Sequence, residues 1–265
     1  MKSGYLNLNE LKMYYEIHGA GEPLVLLHGA FSAIGSSFGE LLPELAKTRQ
    51  VIGLELQAHG HTADIDRPMT LENHAADVAT AIRQLGLERA DVFGYSMGAA
   101  IALRVAIEHP QVVRKLVFAS AGYDMSGIHP GLMEGFGEMK PEMMYGSPWH
   151  AEYLQIAPHP DQFNRLFEKK TAMDKAMKNI PAETIRAIQA PTLIIIGDSD
   201  LIRPEHAVEM FRLLGGGVFG DMPPGMPNSQ LAILPGTSHV TVVSRKEILV
   251  PMLNAFLDAP MPAQN

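Results

Sequence analysis

The stretch Ala90-Asp91-Val92-Phe93-Gly94-Tyr95-Ser96-Met97-Gly98-Ala99-Ala100-Ile101-Ala102-Leu103 sets the architecture of the whole chain. Its first four residues form a short apolar run of strand type, its last five have helical composition without a breaker, and five residues join the two. A G-x-S-x-G pattern at such a junction predicts a sharp strand-to-helix turn. The glycines fall where strand and helix crowd together, and the central hydroxyl is held clear of both. Ser96 is therefore the candidate nucleophile.

A serine hydroxyl attacks at neutral pH only when a base takes its proton, and the base must itself be oriented. In a strand-turn-helix setting of this kind, the acid and the histidine follow in that order at the ends of later strands. Pro191-Thr192-Leu193-Ile194-Ile195-Ile196 reads as a buried strand and runs into Gly197-Asp198-Ser199-Asp200. Gln230-Leu231-Ala232-Ile233-Leu234-Pro235 reads as the next and runs into Gly236-Thr237-Ser238-His239. His239 is the candidate base. Asp198, Asp200 and, after an earlier strand, Asp124 are the candidate acids.

Outward from this centre, residues 4 to 19 alternate apolar and polar around Asn9-Glu10, which predicts two half-exposed strands at an antiparallel edge. Leu24-Val25-Leu26-Leu27 and Val51-Ile52-Gly53-Leu54 are continuous apolar runs, the pattern of parallel strands buried on both faces, with a helix expected between them from Phe38 to Lys47. Thr70 caps a helix that Gly86 ends, and Lys115 to Ala119 reads as a further strand. This alternation predicts an α/β fold: a doubly wound, mostly parallel eight-stranded sheet with right-handed crossovers. From Tyr123 to Ala190 no strand pattern occurs. A helical cap inserted after the sixth strand is expected there, so that residues 1–122 and 191–265 form the core and 123–190 the cap. A helix from Glu205 to Leu214, a closing helix from Ser244 to Asp258 and a frayed tail from Ala259 complete the chain.

The 265 residues are 46% hydrophobic and 19% charged, a globular balance, and the net charge of −8 argues against nucleic acid or anionic membrane as a partner. With no cysteine, disulfides, thiolate metal sites and a thiol nucleophile drop out together. The N-terminus lacks the apolar core of a signal peptide and no stretch is long enough to span a bilayer, so a cytoplasmic location is expected. The expected partner is a small molecule, and association into a homodimer is left open.

Taken together, Leu27-His28-Gly29, His59-Gly60-His61-Thr62, Gly94 to Gly98, Gly197 to Asp200 and Ser238-His239 resemble the α/β-hydrolase superfamily over nearly the whole chain. The resemblance is greatest to its bacterial serine esterase, perhydrolase and C–C-bond hydrolase branch. It implies Asp200 as the acid, because the family places the carboxylate three residues after the glycine and four before a proline, as Gly197, Asp200 and Pro204 do. It also implies an oxyanion hole from the backbone amides of Met97 and Ala30, with Phe31 as the alternative second donor, a shaping role for His28, and no cofactor or metal. Phe31, Tyr95, Met125, Met133, Met144 and Trp149 are expected to line the substrate pocket. His59 and His61 with Asp64 and Asp66 could converge on an ion, but the matching turn in the family is metal-free. Gln57-Ala58 departs from the family's arginine at this turn. The implied reaction is hydrolysis of apolar carboxylic esters through an acyl-enzyme, with lactones or C–C bonds as alternatives and a ligand-binding receptor as the non-enzymatic one.

Overall fold

The alternating N-terminal segment forms an antiparallel hairpin of β1 (Lys2–Leu8) and β2 (Leu11–His18), turned at Asn9, whose φ of 55° suits a short polar side chain. The structure is a computed structural model describing residues 1–223 and 225–262, apart from the side chains of Met133 and Glu134. The end of the expected frayed tail, residues 263–265, lies outside the described residues. The continuous apolar runs become β3 (Pro23–Leu27), β4 (Gln50–Leu54), β5 (Ala90–Tyr95), β6 (Val113–Ala119) and β7 (Thr192–Ser199), followed by β8 (Gln230–Ser238). The eight-stranded sheet runs β1-β2-β4-β3-β5-β6-β7-β8. β2 meets β4 antiparallel, and every pairing from β4 to β8 is parallel. Strand order reverses between β3 and β5, which opens a crevice at their carboxyl ends. Ser96 follows one of these strands and the His28-Gly29 loop the other.

The helix expected from Phe38 to Lys47 is instead two short ones, α1 (Ile34–Phe38) and α2 (Leu42–Leu45). Pro43 explains the break: it has no N–H for the Gly39 carbonyl and its ring would clash there, so it is accommodated only in the first turn of a new helix. α3 (Leu71–Gln84) starts where Thr70 accepts from the Asn73 amide at 3.0 Å, and α4 (Met97–Glu108) follows Ser96. Between β6 and β7 come α5 (Leu132–Glu138), α6 (Pro148–Ile156), α7 (Phe163–Ala176) and α8 (Ala182–Arg186); α9 (Pro204–Leu213) and α10 (Lys246–Asp258) follow β7 and β8. One buried cluster joins α1, α2 and α10 to the sheet through Phe38, Leu41, Phe93, Leu253 and Phe256. The other joins α3, α4 and α9 to its opposite face. Among the described residues no helix is long and apolar enough to cross a membrane.

The β6–β7 segment is fastened at three places. Its first residues are stitched to the loop after β7, where Arg203 donates its amide to the Gly127 carbonyl at 2.8 Å and Ile128 bridges Ile202. On α7, Arg165 and Lys169 reach Asp64 at 2.6 and 2.7 Å. On α6, Glu152 accepts from the Ser36 hydroxyl at 2.5 Å. Phe163, Leu166, Phe167 and Met173 bury themselves in the α3–α4 cluster.

Candidate active site

Ser96 has φ 54° and ψ −119°, a conformation that side chains rarely adopt, at the turn between β5 and α4. Its amide donates to the Ala119 carbonyl at 2.9 Å, and its own carbonyl accepts the first amides of the helix, from Ala99 and Ala100. The glycines are required by contact: a Cβ on Gly94 would lie 2.1 Å from the Gly98 carbonyl oxygen, and one on Gly98 would lie 2.0 Å from that of Leu27. β3, β5 and α4 therefore touch backbone to backbone, and the bend aims the Ser96 side chain toward the carboxyl ends of the strands.

The structure brings Ser96, His239 and Asp200 together. Ser96 Oγ lies 3.0 Å from His239 Nε2, and His239 Nδ1 lies 2.8 Å from Asp200 Oδ1. The Asp200 side chain is fully buried, whereas that of His239 is 20% exposed. Burial alone would push the Asp200 carboxyl up. Hydrogen bonds from His239, Ser120 and the Gly197 amide outweigh it and hold the group below the usual carboxylate range. An ionised Asp200 can only accept, so His239 carries its proton on Nδ1 and presents the Nε2 lone pair to the serine.

Asp198 and Asp124 are elsewhere. Asp198 accepts from the Gly236 and Thr237 amides at 2.8 and 3.1 Å, anchoring the end of β8 from which His239 springs. Asp124 accepts from the Ser126 amide at 2.7 Å, capping a 3₁₀ turn.

The amide of Met97 is the first of α4 and has no intrahelical acceptor; among the described residues neither it nor the Ala30 amide donates to a protein group. The loop bearing Ala30 is tied from beneath. His28, fully buried and pushed down to about 4 by that burial, accepts the Leu56 amide on Nε2 at 3.1 Å and so donates from Nδ1 to the Gly29 carbonyl at 2.8 Å. Ser32 donates to the same carbonyl at 2.9 Å, and Ser37 accepts from the Gly29 amide at 3.2 Å. Phe31, at φ 60°, turns its ring onto Phe167 of α7, with centroids 5.5 Å apart.

The other expected pocket residues divide. Tyr95 is buried next to Ser96, and its hydroxyl donates to the His239 carbonyl at 2.9 Å, which ties the histidine segment to the end of β5. Met144 is buried in the α3–α4 cluster, and Trp149 is half-buried against it. Met125 is half-buried in the 3₁₀ turn, with its amide on Asn179. The Met133 side chain lies outside the described residues.

His59 and His61 serve different partners. His59 is buried and donates from Nδ1 to the Gln57 carbonyl at 2.9 Å, while His61 faces Glu55 at 2.9 Å under the Tyr14 ring. Gln57 donates to Asp64 at 2.7 Å and accepts from Arg67 at 2.8 Å. Among the described residues no three His, Asp or Glu side chains are grouped to hold an ion. Two contributors escaped sequence reading: Ser120, whose hydroxyl donates to Asp200 Oδ2 at 2.6 Å, and the Ser32–Ser37 pair. A lone serine at a strand end carries no spacing signal.

Residues 22–182 match the α/β-hydrolase fold family. The chain is 29% identical to 2-hydroxymuconate semialdehyde hydrolase of Pseudomonas sp. (strain CF600), over 70% of this chain and 73% of that protein. It is 26% identical to the dihydrolipoyllysine-residue acetyltransferase component of the acetoin cleaving system of Pseudomonas putida, covering 93% of this chain but 66% of that longer protein. Among solved structures, the enol-lactonase from Burkholderia xenovorans LB400 superposes with a TM-score of 0.71 at 17% identity, over 96% of this chain and 100% of that one; at this identity the likeness is one of fold.

Proposed function

The chain belongs to the α/β-hydrolase fold family, and from that premise we propose that it is a serine hydrolase of carboxylic esters. The observation that carries the reading is the continuous relay from Ser96 Oγ through His239 to Asp200, with links of 3.0 and 2.8 Å, set on a strained turn. In this reading His239 Nε2 takes the Ser96 proton as Oγ attacks the ester carbonyl. The carbonyl oxygen becomes an oxyanion, received by the Ala30 and Met97 amides, and removal of one such donor typically costs about 3 kcal/mol of barrier. The imidazolium, stabilised by Asp200, returns the proton to the departing alcohol and leaves an acyl-Ser96 ester. A water then enters, gives its proton to His239 and releases the acid.

The β6–β7 segment acts as a cap over this centre. With Phe31 and Phe167 stacked beside the oxyanion loop and methionines and aromatics behind them, an apolar acyl group is favoured, each buried methylene being worth up to about 0.8 kcal/mol. A C–C-bond hydrolase is the second reading, suggested by the Pseudomonas relative and compatible with the same relay. Turnover of p-nitrophenyl esters from acetate to octanoate, with lactones and a vinylogous 1,5-diketone in parallel, decides among these. The proposal expects ester kcat/KM to rise with acyl length, loss of that activity in Ser96→Ala, and labelling of Ser96 by a fluorophosphonate. Unchanged activity in Ser96→Ala at unchanged stability would overturn the serine mechanism, and cleavage of the diketone alone would move the enzyme to the second reading.

A further inference from the structure

Ser120 lies where the chain leaves β6, 1% exposed, with its amide donating to the Ile195 carbonyl at 2.8 Å. Its φ is 55°, in the left-handed region that favours glycine. A glycine would adopt this backbone at lower cost, and what it would lack is the hydroxyl. That hydroxyl makes the shortest hydrogen bond Asp200 receives: 2.6 Å to Oδ2, against 3.2 Å from the Gly197 amide to the same oxygen. The other oxygen, Oδ1, takes the His239 contact at 2.8 Å and only a long one, 3.4 Å, from the Ile202 amide. A carboxylate rotates about its χ2 bond unless both oxygens are held, and rotation would swing Oδ1 away from His239 Nδ1. The strain at Ser120 thus sits one hydrogen bond from Asp200 and two from His239, close to a site where strained residues tend to cluster.

We propose that Ser120 is a positioning residue: its hydroxyl fixes the plane of the Asp200 carboxylate, which keeps His239 Nε2 aimed at Ser96. The inference rests on the Ser96, His239, Asp200 reading above. Ser120 reaches only the back of Asp200, so its loss weakens the chemical step and leaves substrate binding alone.

The test is a set of variants, Ser120→Ala, Ser120→Gly, Asp200→Asn and the double variant Ser120→Ala/Asp200→Asn, with kcat and KM measured on p-nitrophenyl butyrate and melting temperature alongside. Losing a hydrogen bond to a charged acceptor should lower kcat about tenfold or more in both Ser120 variants, with KM within about twofold. Ser120→Gly, freed of the strained φ, should melt at or above Ser120→Ala and still be as slow, which separates the hydroxyl from the backbone. In the Asp200→Asn background the Ser120→Ala change should cost less than about threefold, because the carboxylate it holds is already gone. Wild-type kcat in Ser120→Gly, or equal losses in both backgrounds, overturns the positioning role while leaving the triad standing. A silent Asp200→Asn would instead overturn the triad reading itself.

Discussion

Asp198 and Asp200 sit on the same strand end and differ in what they hold. Asp200 is buried and faces His239, whereas Asp198 is exposed and receives two backbone amides of the loop that carries His239. Asp200→Asn presents an amide where the Nδ1–H needs a carboxylate, so turnover should fall by about three to four orders of magnitude. Asp198→Asn keeps one acceptor oxygen for the two amides and should cost about tenfold or less, through a looser histidine loop. Steady-state kinetics of the two variants on one ester checks this, and a larger loss at Asp198 would reassign the acid. Ser96 and His239 are legible in the sequence because each follows a strand whose pattern is strong, whereas only the family resemblance separates Asp200 from Asp198 and Asp124. Ser120, Tyr95 and the Ser32–Ser37 pair were not legible: what they do depends on side-chain direction and on contacts from residues far along the chain, as in the 144-residue separation of Tyr95 from His239.

At the scale of elements, the apolar runs and the N-terminal alternation forecast the strands because burial on both faces or one leaves that periodicity directly in the sequence. Between Phe38 and Lys47 composition favours one helix, while Pro43 forbids a helix from crossing Gly39. The attachment of α7 to the core was invisible for another reason. It depends on Asp64, in a loop, meeting Arg165 and Lys169 a hundred residues later. Asp64 is nearly covered; burial raises its carboxyl, but bonds from Gln57, Lys169 and Arg165 outweigh this and hold it down. Lys169 also donates to the Ile65 and Arg67 carbonyls, so the loop and the helix form one polar knot beside the Phe31–Phe167 stack. Asp64→Ala would leave Lys169 with only the Ile65 and Arg67 carbonyls, and Arg165 with only the exposed Asp66 carboxylate at 3.5 Å. Because Arg165 is half-exposed and water can serve it, the cost should be about 2 kcal/mol, below that of a fully buried pair. Urea denaturation should register the loss, and limited proteolysis should cut first between residues 120 and 191. A variant as stable and as protease-resistant as the parent would mean that apolar burial holds α7 without the Asp64 ion pairs.

Over the whole molecule, pH acts through histidines sealed under the sheet's carboxyl end. His28, His59 and His74 are fully buried; His28 is pushed down to about 4, His74 to about 3, and His59 well below its ordinary value, in each case chiefly by burial. His206, stacked on Tyr123 at the start of the β6–β7 segment, is lowered by burial too. Each folded pKa lies below the unfolded value near 6.5, so at acidic pH the unfolded chain binds protons that the native state refuses. Stability is then intact above about pH 6.5 and falls as pH drops, by up to about 1.4 kcal/mol per pH unit per histidine, until the folded pKa is reached. Glu55, Asp77 and Asp91, raised mainly by burial, work in the opposite sense at lower pH, because their native forms take up protons earlier than the unfolded chain does. His74 isolates the effect: among the described residues neither of its buried ring nitrogens has a hydrogen-bond partner, so there the side chain contributes packing and a proton-linked penalty but no bond. His74→Met should therefore leave stability little changed or higher at pH 7.5, and at pH 5 should recover about 2 kcal/mol relative to the parent, the difference a group with pKa values near 6.5 and 3 generates over that interval. Urea melts of both proteins at the two pH values measure it. If the parent and the variant lose the same stability between pH 7.5 and 5, His74 is not a source of the acid sensitivity, and the remaining buried histidines would have to account for all of it.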